Sequence, residues 1–188
     1  MADYNPEFDN LKKFYIPNYI LVLRSESECL PDVPECPVLV FINSKSGGQL
    51  GGDLFITYSS LLNKNQVVDL LEEAPDAVLH RLYLNLEKLK LSGDELALRI
   101  EENLRIIVVG RNGTAGWLLG VVSDLKLSQP PPIATVPLGT RNNLPFAFRW
   151  MTFGIDMRIF HFFIQRIIHT FEQLGSFMSS SAFCVEFA

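Results

Sequence analysis

The stretch RIIVVGRNGTAGWLLGVVSD, residues 105–124, decides the fold of this chain. It opens with a short, β-branched apolar run, which is typical of a buried parallel strand, and Gly110 ends that run. Apolar residues then recur with a helical period over residues 115–125. The pattern predicts a strand, a glycine turn and a helix, with Thr114 as the helix cap.

The start of this predicted helix is a candidate anion site. Backbone N–H groups without helical partners meet the positive end of the helix dipole there. Gly113 adds an unrestricted backbone at the same point. Phosphate is therefore the first ligand to consider, and an ordinary strand-to-helix turn is the alternative.

The composition predicts one globular domain with no nucleic-acid partner. The 188 residues are 48% hydrophobic, and 16 basic against 21 acidic side chains give a net charge of −5. No basic run is present, which argues against nucleic-acid binding. The three cysteines have no metal-ligand spacing with the histidines, so we predict reduced thiols, no metal site in the protein alone and a cytoplasmic location. We expect no secretory signal and no transmembrane segment.

Residues 1–37 are predicted to form an N-terminal arm and a linker. Residues 14–23 are apolar and aromatic, and residues 25–37 contain three prolines. We expect the apolar segment to pack against its own domain, with a membrane or partner contact as the alternative.

A second strand, residues 38–42, leads directly into the turn NSKSGG. Its glycines allow the backbone to approach a phosphate, its serines can donate hydrogen bonds, and its lysine supplies positive charge. It is not a Walker A loop, because the lysine precedes the glycines. The candidate ligand residues of this turn are Asn43, Ser44, Lys45, Ser46 and Gly47.

The elements between these two turns follow from the apolar period and the turn residues. A region rich in leucine, residues 80–91, fits either a helix or a strand, and its length favours a helix. A capping box at residues 92–95 predicts the start of the helix that precedes Arg105. The remaining predictions are a helix over residues 53–62, a strand over residues 67–71 and a loop over residues 72–76.

A further strand, residues 133–136, is again followed at its carboxyl end by residues that carry glycine, hydroxyl and amide groups. The alternation of strands and helices predicts an α/β fold with a doubly wound, mostly parallel sheet, in which ligands bind outside the carboxyl ends of the strands. Three such turns together favour a nucleotide-phosphate site. The further candidate residues are Gly110, Asn112, Gly113, Thr114, Gly139, Thr140 and Asn142.

These motifs, with PPPIA at residues 130–134 and PLGT at residues 137–140, resemble the catalytic domain of diacylglycerol kinases, closest to the compact plant type. The resemblance covers about residues 38–150. It implies the nucleotide-binding domain of the diacylglycerol and NAD kinase-like fold. It also implies that ATP and Mg²⁺ serve to phosphorylate diacylglycerol to phosphatidic acid in lipid signalling, at a membrane surface.

The chain departs from the family pattern at several positions. The family turn Gly-Gly-Asp-Gly-Thr is replaced by residues 110–114, GRNGT, so Arg111 stands for glycine and Asn112 for a carboxylate. Arg141 and Arg149 also stand where glycine is expected. Arginine at a positive-φ glycine position would cost about 1 kcal/mol or more, and loss of the carboxylate removes a magnesium anchor. No catalytic residue is therefore assigned.

The resemblance ends at Met151, and residues 151–188 are predicted to be a divergent apolar helix and tail. By resemblance the family continues into a second, mostly β domain, which we expect to be missing here. Two interpretations remain: an ATP-dependent diacylglycerol kinase, or a catalytically impaired fragment that binds nucleotide, lipid or another protein. A cytoplasmic protein with peripheral membrane association fits either one.

Overall fold

Four parallel strands form the centre of the protein. The computed structural model describes residues 11–23 and 33–138. The strands are β1 (Val38–Ile42), β2 (Val67–Asp69), β3 (Arg105–Gly110) and β4 (Ile133–Pro137). Their order across the sheet is β2-β1-β3-β4, and every neighbouring pair is parallel.

Helices cover both faces of this sheet, which confirms the predicted α/β fold. The described helices are α1 (Asn18–Leu21), α2 (Leu50–Leu61), α3 (Pro75–Leu91), α4 (Glu95–Asn103) and α5 (Asn112–Asp124). Along β1, Leu39 and Phe41 point into a core shared with α3, α4 and α5, whereas Val40 and Ile42 point into a second core with α2.

The N-terminal segment, as far as residues 14–23 are concerned, packs against the domain, as predicted. Phe14, Ile16 and Ile20 are fully buried. The Ile16 N–H donates to Gln66 Oε1 at 2.9 Å, and Gln66 Nε2 donates to the carbonyls of Phe14 (2.8 Å) and Val38 (2.6 Å). One buried amide side chain therefore joins the N-terminal segment to β1.

Two predicted helix caps are wrong. Arg111 is the N-cap of α5, so Thr114 lies inside the first turn and does not cap it. Asp94 is the N-cap of α4, and its side chain accepts the Ala97 N–H at 3.0 Å. Ser92, the first residue of the predicted capping box, is instead the C-cap of α3, because its N–H and hydroxyl both bond back to that helix.

Three element boundaries also differ from the prediction. Helix α3 begins at Pro75, inside the predicted loop, because the first position of a helix needs no N–H donor. This helix includes residues 80–91, which resolves their ambiguity. Helix α2 begins at Leu50, three residues early, and strand β2 ends at Asp69, two residues early, because the Leu71 N–H turns back to Asp69 Oδ1.

Cys36 is a buried free thiol, and the other two cysteines lie outside the described residues. Burial raises the pKa of this thiol to about 11, so it stays neutral at physiological pH. Among residues 11–23 and 33–138, no helix has the length and apolar character that a membrane span needs. The predicted turn after β4, the predicted helix and tail of residues 151–188 and most of the linker lie outside the described residues.

Candidate functional site

The predicted turns begin side by side at one edge of the sheet. Strands β1, β3 and β4 are adjacent and parallel, so their carboxyl ends lie together. The Asn43 N–H donates to Val109 O at 3.0 Å, and the Leu138 N–H donates to Gly110 O at 2.8 Å. We call this edge the rim; its described residues are 43–48, 69–71, 110–114 and Leu138.

The turn after β1 also touches the chain that leaves β4. A Cβ atom added to Gly47 would lie 3.2 Å from the Leu138 Cβ. The structure therefore brings the first turn next to the start of the third one. The predicted site residues Gly139, Thr140 and Asn142 follow Leu138 directly but lie outside the described residues, so their assignment stays a prediction.

Internal hydrogen bonds occupy the first four N–H groups of the turn after β1. Their acceptors are a β3 carbonyl, a β2 carboxylate and the turn's own Asn43. Because these N–H groups are used inside the protein, they stabilise the turn and are not the donors that a ligand would meet. The bonds are Asn43 to Val109 O (3.0 Å), Ser44 to Asp69 Oδ1 (3.4 Å), Lys45 to Asn43 Oδ1 (3.2 Å) and Ser46 to Asn43 O (2.9 Å).

The two glycines that follow have a different role. Gly47 and Gly48 have φ values of +67° and +70°, a conformation that favours glycine. Their N–H groups donate to no acceptor among the described residues. Lys45 is exposed, whereas Ser46 is buried. The groups of this turn that can meet an anion are therefore the two glycine N–H groups and the lysine side chain.

Gly51 allows the turn after β1 to lie directly on helix α2. A Cβ atom at Gly51 would be 2.6, 2.7 and 2.8 Å from the carbonyl oxygens of Asn43, Ser44 and Ser46. A Cβ atom at Gly52 would meet only Ser44 O, at an ordinary contact distance of 3.9 Å. The sequence reasoning missed Gly51, and the available signal was a glycine pair immediately after the candidate phosphate turn.

In the turn after β3, Thr114 packs so closely on Gly110 that position 110 has no room for a side chain. A Cβ atom at Gly110 would lie 2.8 Å from Thr114 Oγ1 and 2.9 Å from Thr114 Cβ. The buried Thr114 donates its N–H to Arg111 O at 2.9 Å. Gly113, by contrast, is exposed with open space around it. Helix α5 therefore presents its positive end at the rim through Gly113.

Arg111 fits its position without backbone strain. Its φ of −89° and ψ of 172° are extended values that any residue adopts, so the expected cost of arginine at a positive-φ site is wrong here. The side chain is exposed and adds a second cation to the rim beside Lys45. Asn112, which stands where the family pattern has a carboxylate, is the first residue of α5 and is half-buried.

Asp69 is a rim residue that sequence reasoning missed as a site candidate. It ends β2 opposite Ile42, and its carboxylate accepts the Ser44 N–H. Within residues 11–23 and 33–138, no group of three or more metal-binding side chains comes together. The only available signal for Asp69 was a carboxylate at the end of a predicted strand.

A separate surface groove lies away from the rim. Its volume is 380 Å³, and helices α3 and α5 supply its lining. None of the predicted site residues contributes to it. The lining residues are Asp76, Ala77, His80, Val121, Asp124 and Leu125.

Comparison with known proteins identifies the family. A family model described as the diacylglycerol kinase catalytic domain matches residues 37–171. The match includes part of the segment after Trp150, where the sequence motifs indicated that the resemblance ends. No solved structure matches the chain.

Plant and animal relatives show the same similarity. Diacylglycerol kinase 5 of Arabidopsis thaliana is 59% identical over 173 residues, which cover 89% of this chain and 34% of that protein. Diacylglycerol kinase 1 of Oryza sativa subsp. japonica is 66% identical over 140 residues, which cover 74% and 28%. Human diacylglycerol kinase zeta is 38% identical over 114 residues, which cover 61% and 11%.

The chain therefore spans about a third of the length of these two plant proteins. The family model matches well over half of the chain, and the matched part contains all four strands of the sheet and both described turns of the rim. On these grounds the chain belongs to the diacylglycerol kinase catalytic-domain family.

Proposed function

We propose that this chain is the ATP-binding part of a kinase that phosphorylates diacylglycerol to phosphatidic acid. The observation that carries the proposal is the meeting of the turns after β1 and β3 at one rim of the sheet. The names of its relatives, which are diacylglycerol kinases, supply the reaction and the lipid substrate. Because this lipid resides in membranes, we propose peripheral contact with a membrane surface.

The described groups at the rim suit the phosphates of ATP. The N–H groups of Gly47, Gly48 and Gly113 would donate to phosphate oxygens, as at other glycine turns and helix starts. Lys45 and Arg111 would neutralise negative charge. The backbone of this site would be held in shape by Asn43, Ser44, Ser46, Gly110 and Thr114. The proposed set of ATP-binding residues is completed by Gly139, Thr140 and Asn142.

The protein side chains at the rim offer few ligands for Mg²⁺. Mg²⁺ prefers carboxylate and phosphate oxygens together with water. The described rim has one carboxylate, Asp69, and one of its oxygens already accepts two backbone N–H groups. Asn112 offers a neutral amide. We therefore propose that Mg²⁺ reaches this site mainly on the ATP phosphates, where it supplies charge neutralisation.

A calorimetric titration of the full chain with ATP tests this proposal. We expect ATP to bind at least tenfold more tightly than adenosine, because the described rim groups recognise phosphate (about 1.4 kcal/mol per factor of ten). We expect Mg²⁺ to change this affinity less than threefold. Equal affinities for ATP and adenosine, or no binding of either, would contradict the proposed site.

The variant Asn112→Asp tests the binding of Mg²⁺ and the phosphorylation of diacylglycerol. A carboxylate at this position should make Mg²⁺ raise the ATP affinity about tenfold. It should also increase the formation of phosphatidic acid from diacylglycerol micelles above that of the unaltered chain. The control is Asn103→Asp, which adds the same charge at a half-buried residue at the end of α4. An equal magnesium response in both variants would disprove this role of position 112.

A further inference from the structure

We propose that Asp69 is the positioning residue that sets the turn at residues 43–48 for nucleotide phosphates. This inference rests on the proposed function, because it concerns the same rim. It gives the carboxyl end of β2 a role in phosphate binding, although none of the phosphate motifs in the sequence includes this end of the strand. Asp69 acts on the ligand through the turn and does not itself contact the phosphates.

The sheet places Asp69 beside the first residue of the turn. In the parallel pairing of β1 and β2, Asp69 lies opposite Ile42, the last residue of β1. The ladder continues for one more bond, since the Leu70 N–H donates to Ile42 O at 2.8 Å. The side chain of Asp69 therefore starts where β1 gives way to Asn43 and Ser44.

The carboxylate then joins the two chain segments that leave the sheet here. Its Oδ1 atom accepts the Leu71 N–H at 3.1 Å and the Ser44 N–H at 3.4 Å. The Asp69 carbonyl accepts the N–H groups of Glu72 and Glu73 at 3.0 Å each. Four N–H groups thus converge on one residue, and the charged acceptor strengthens the two bonds to its side chain.

This arrangement decides which N–H groups of the turn remain available to a ligand. Ser44 is satisfied by Asp69, and Lys45 and Ser46 are satisfied by Asn43. The donors left for an anion are those of Gly47 and Gly48. Without the Asp69 carboxylate, the Ser44 N–H loses its acceptor and the turn is free to rotate away from the conformation that presents the glycine donors.

The test compares the affinities of the full chain and its variants for ATP and adenosine. For Asp69→Ala we expect about a tenfold loss of ATP affinity (1.4 kcal/mol) with unchanged adenosine affinity. Asp69→Asn keeps an acceptor oxygen in place and should retain ATP affinity within threefold. Asp76→Ala removes an exposed carboxylate in the first turn of α3 and should change neither affinity.

Two further measurements test the role of Asp69. If Asp69→Ala does not fold, Asp69→Glu decides, because it keeps the charge but moves the oxygens by one methylene group; we expect about a fivefold loss for ATP alone. The Ser44 amide should exchange its hydrogen faster in each variant that loses ATP affinity. Parallel losses for ATP and adenosine would indicate a merely structural role and overturn the inference, as would unchanged ATP binding.

Failure of the inference and failure of the proposed function give different results. If the unaltered chain binds no ATP, the proposed function is wrong and the inference falls with it. If the unaltered chain binds ATP and the Ala and Glu variants bind it equally well, only the role of Asp69 is wrong.

Discussion

Gly51→Ala is expected to lower the free energy of unfolding by about 2 kcal/mol, the difference between an overpacking cost of about 3 kcal/mol and the gain in helix propensity. The added Cβ would lie within 2.8 Å of three carbonyl oxygens of the turn after β1, and backbone atoms cannot rotate away as a side chain end can. Alanine gains about 1 kcal/mol of helix propensity over glycine, too little to offset this clash. The midpoint of thermal unfolding should fall by about 4–8 °C.

The neighbouring Gly52 provides the matched control. Its added Cβ would meet only Ser44 O, at 3.9 Å, and it occupies the next position of the same helix. Gly52→Ala should therefore raise stability by about 0.5–1 kcal/mol. Equal thermal stability for the two alanine variants would show that the turn does not lie on Gly51 as described.

Gln66→Leu should destabilise the protein by about 4 kcal/mol, because it removes three buried hydrogen bonds and leaves the Ile16 N–H without its acceptor. Leucine has a similar volume, so the loss of stability would come from the missing hydrogen bonds and not from a cavity. Urea unfolding monitored by circular dichroism measures this difference. We also expect the segment around Phe14 to become sensitive to proteases, because Gln66 joins it to β1.

Asn65→Ala is the control for this prediction. Its side chain donates to Asn18 Oδ1 at 2.8 Å, but Asn63 donates to the same oxygen, so no buried acceptor is left unpaired. The expected cost is about 1 kcal/mol. A loss as small as this for Gln66→Leu would contradict the role given to Gln66 in joining the N-terminal segment to β1.

The central strands were predictable because their residues carry a strong local signal. The run from Val38 to Ile42 is β-branched or bulky, is bounded by Pro37 and a polar turn, and forms a strand with those limits. The same reasoning placed β3 and its glycine turn. Parallel strands then put their carboxyl ends at one edge, so the rim followed from topology.

The supports of the rim were not predictable, because they depend on contacts between distant parts of the chain. A glycine in the first turn of α2 is unfavourable by helix propensity, and only the approach of the preceding turn explains Gly51. Gln66 looks like an ordinary polar residue between elements, yet it is fully buried against residues about fifty positions away. The backbone angles of Arg111 likewise could not be inferred from residue type.

The rim's role in binding a triphosphate is tested most directly by nuclear magnetic resonance of the ¹⁵N-labelled chain during an ATP titration. We predict saturable shifts of the amide signals of Gly47, Gly48 and Gly113. The signals of Val38 and Arg105, at the opposite edge of the sheet, should stay unchanged. Shifts centred on Val38 and Arg105, or unchanged rim glycines at saturating ATP, would contradict the account.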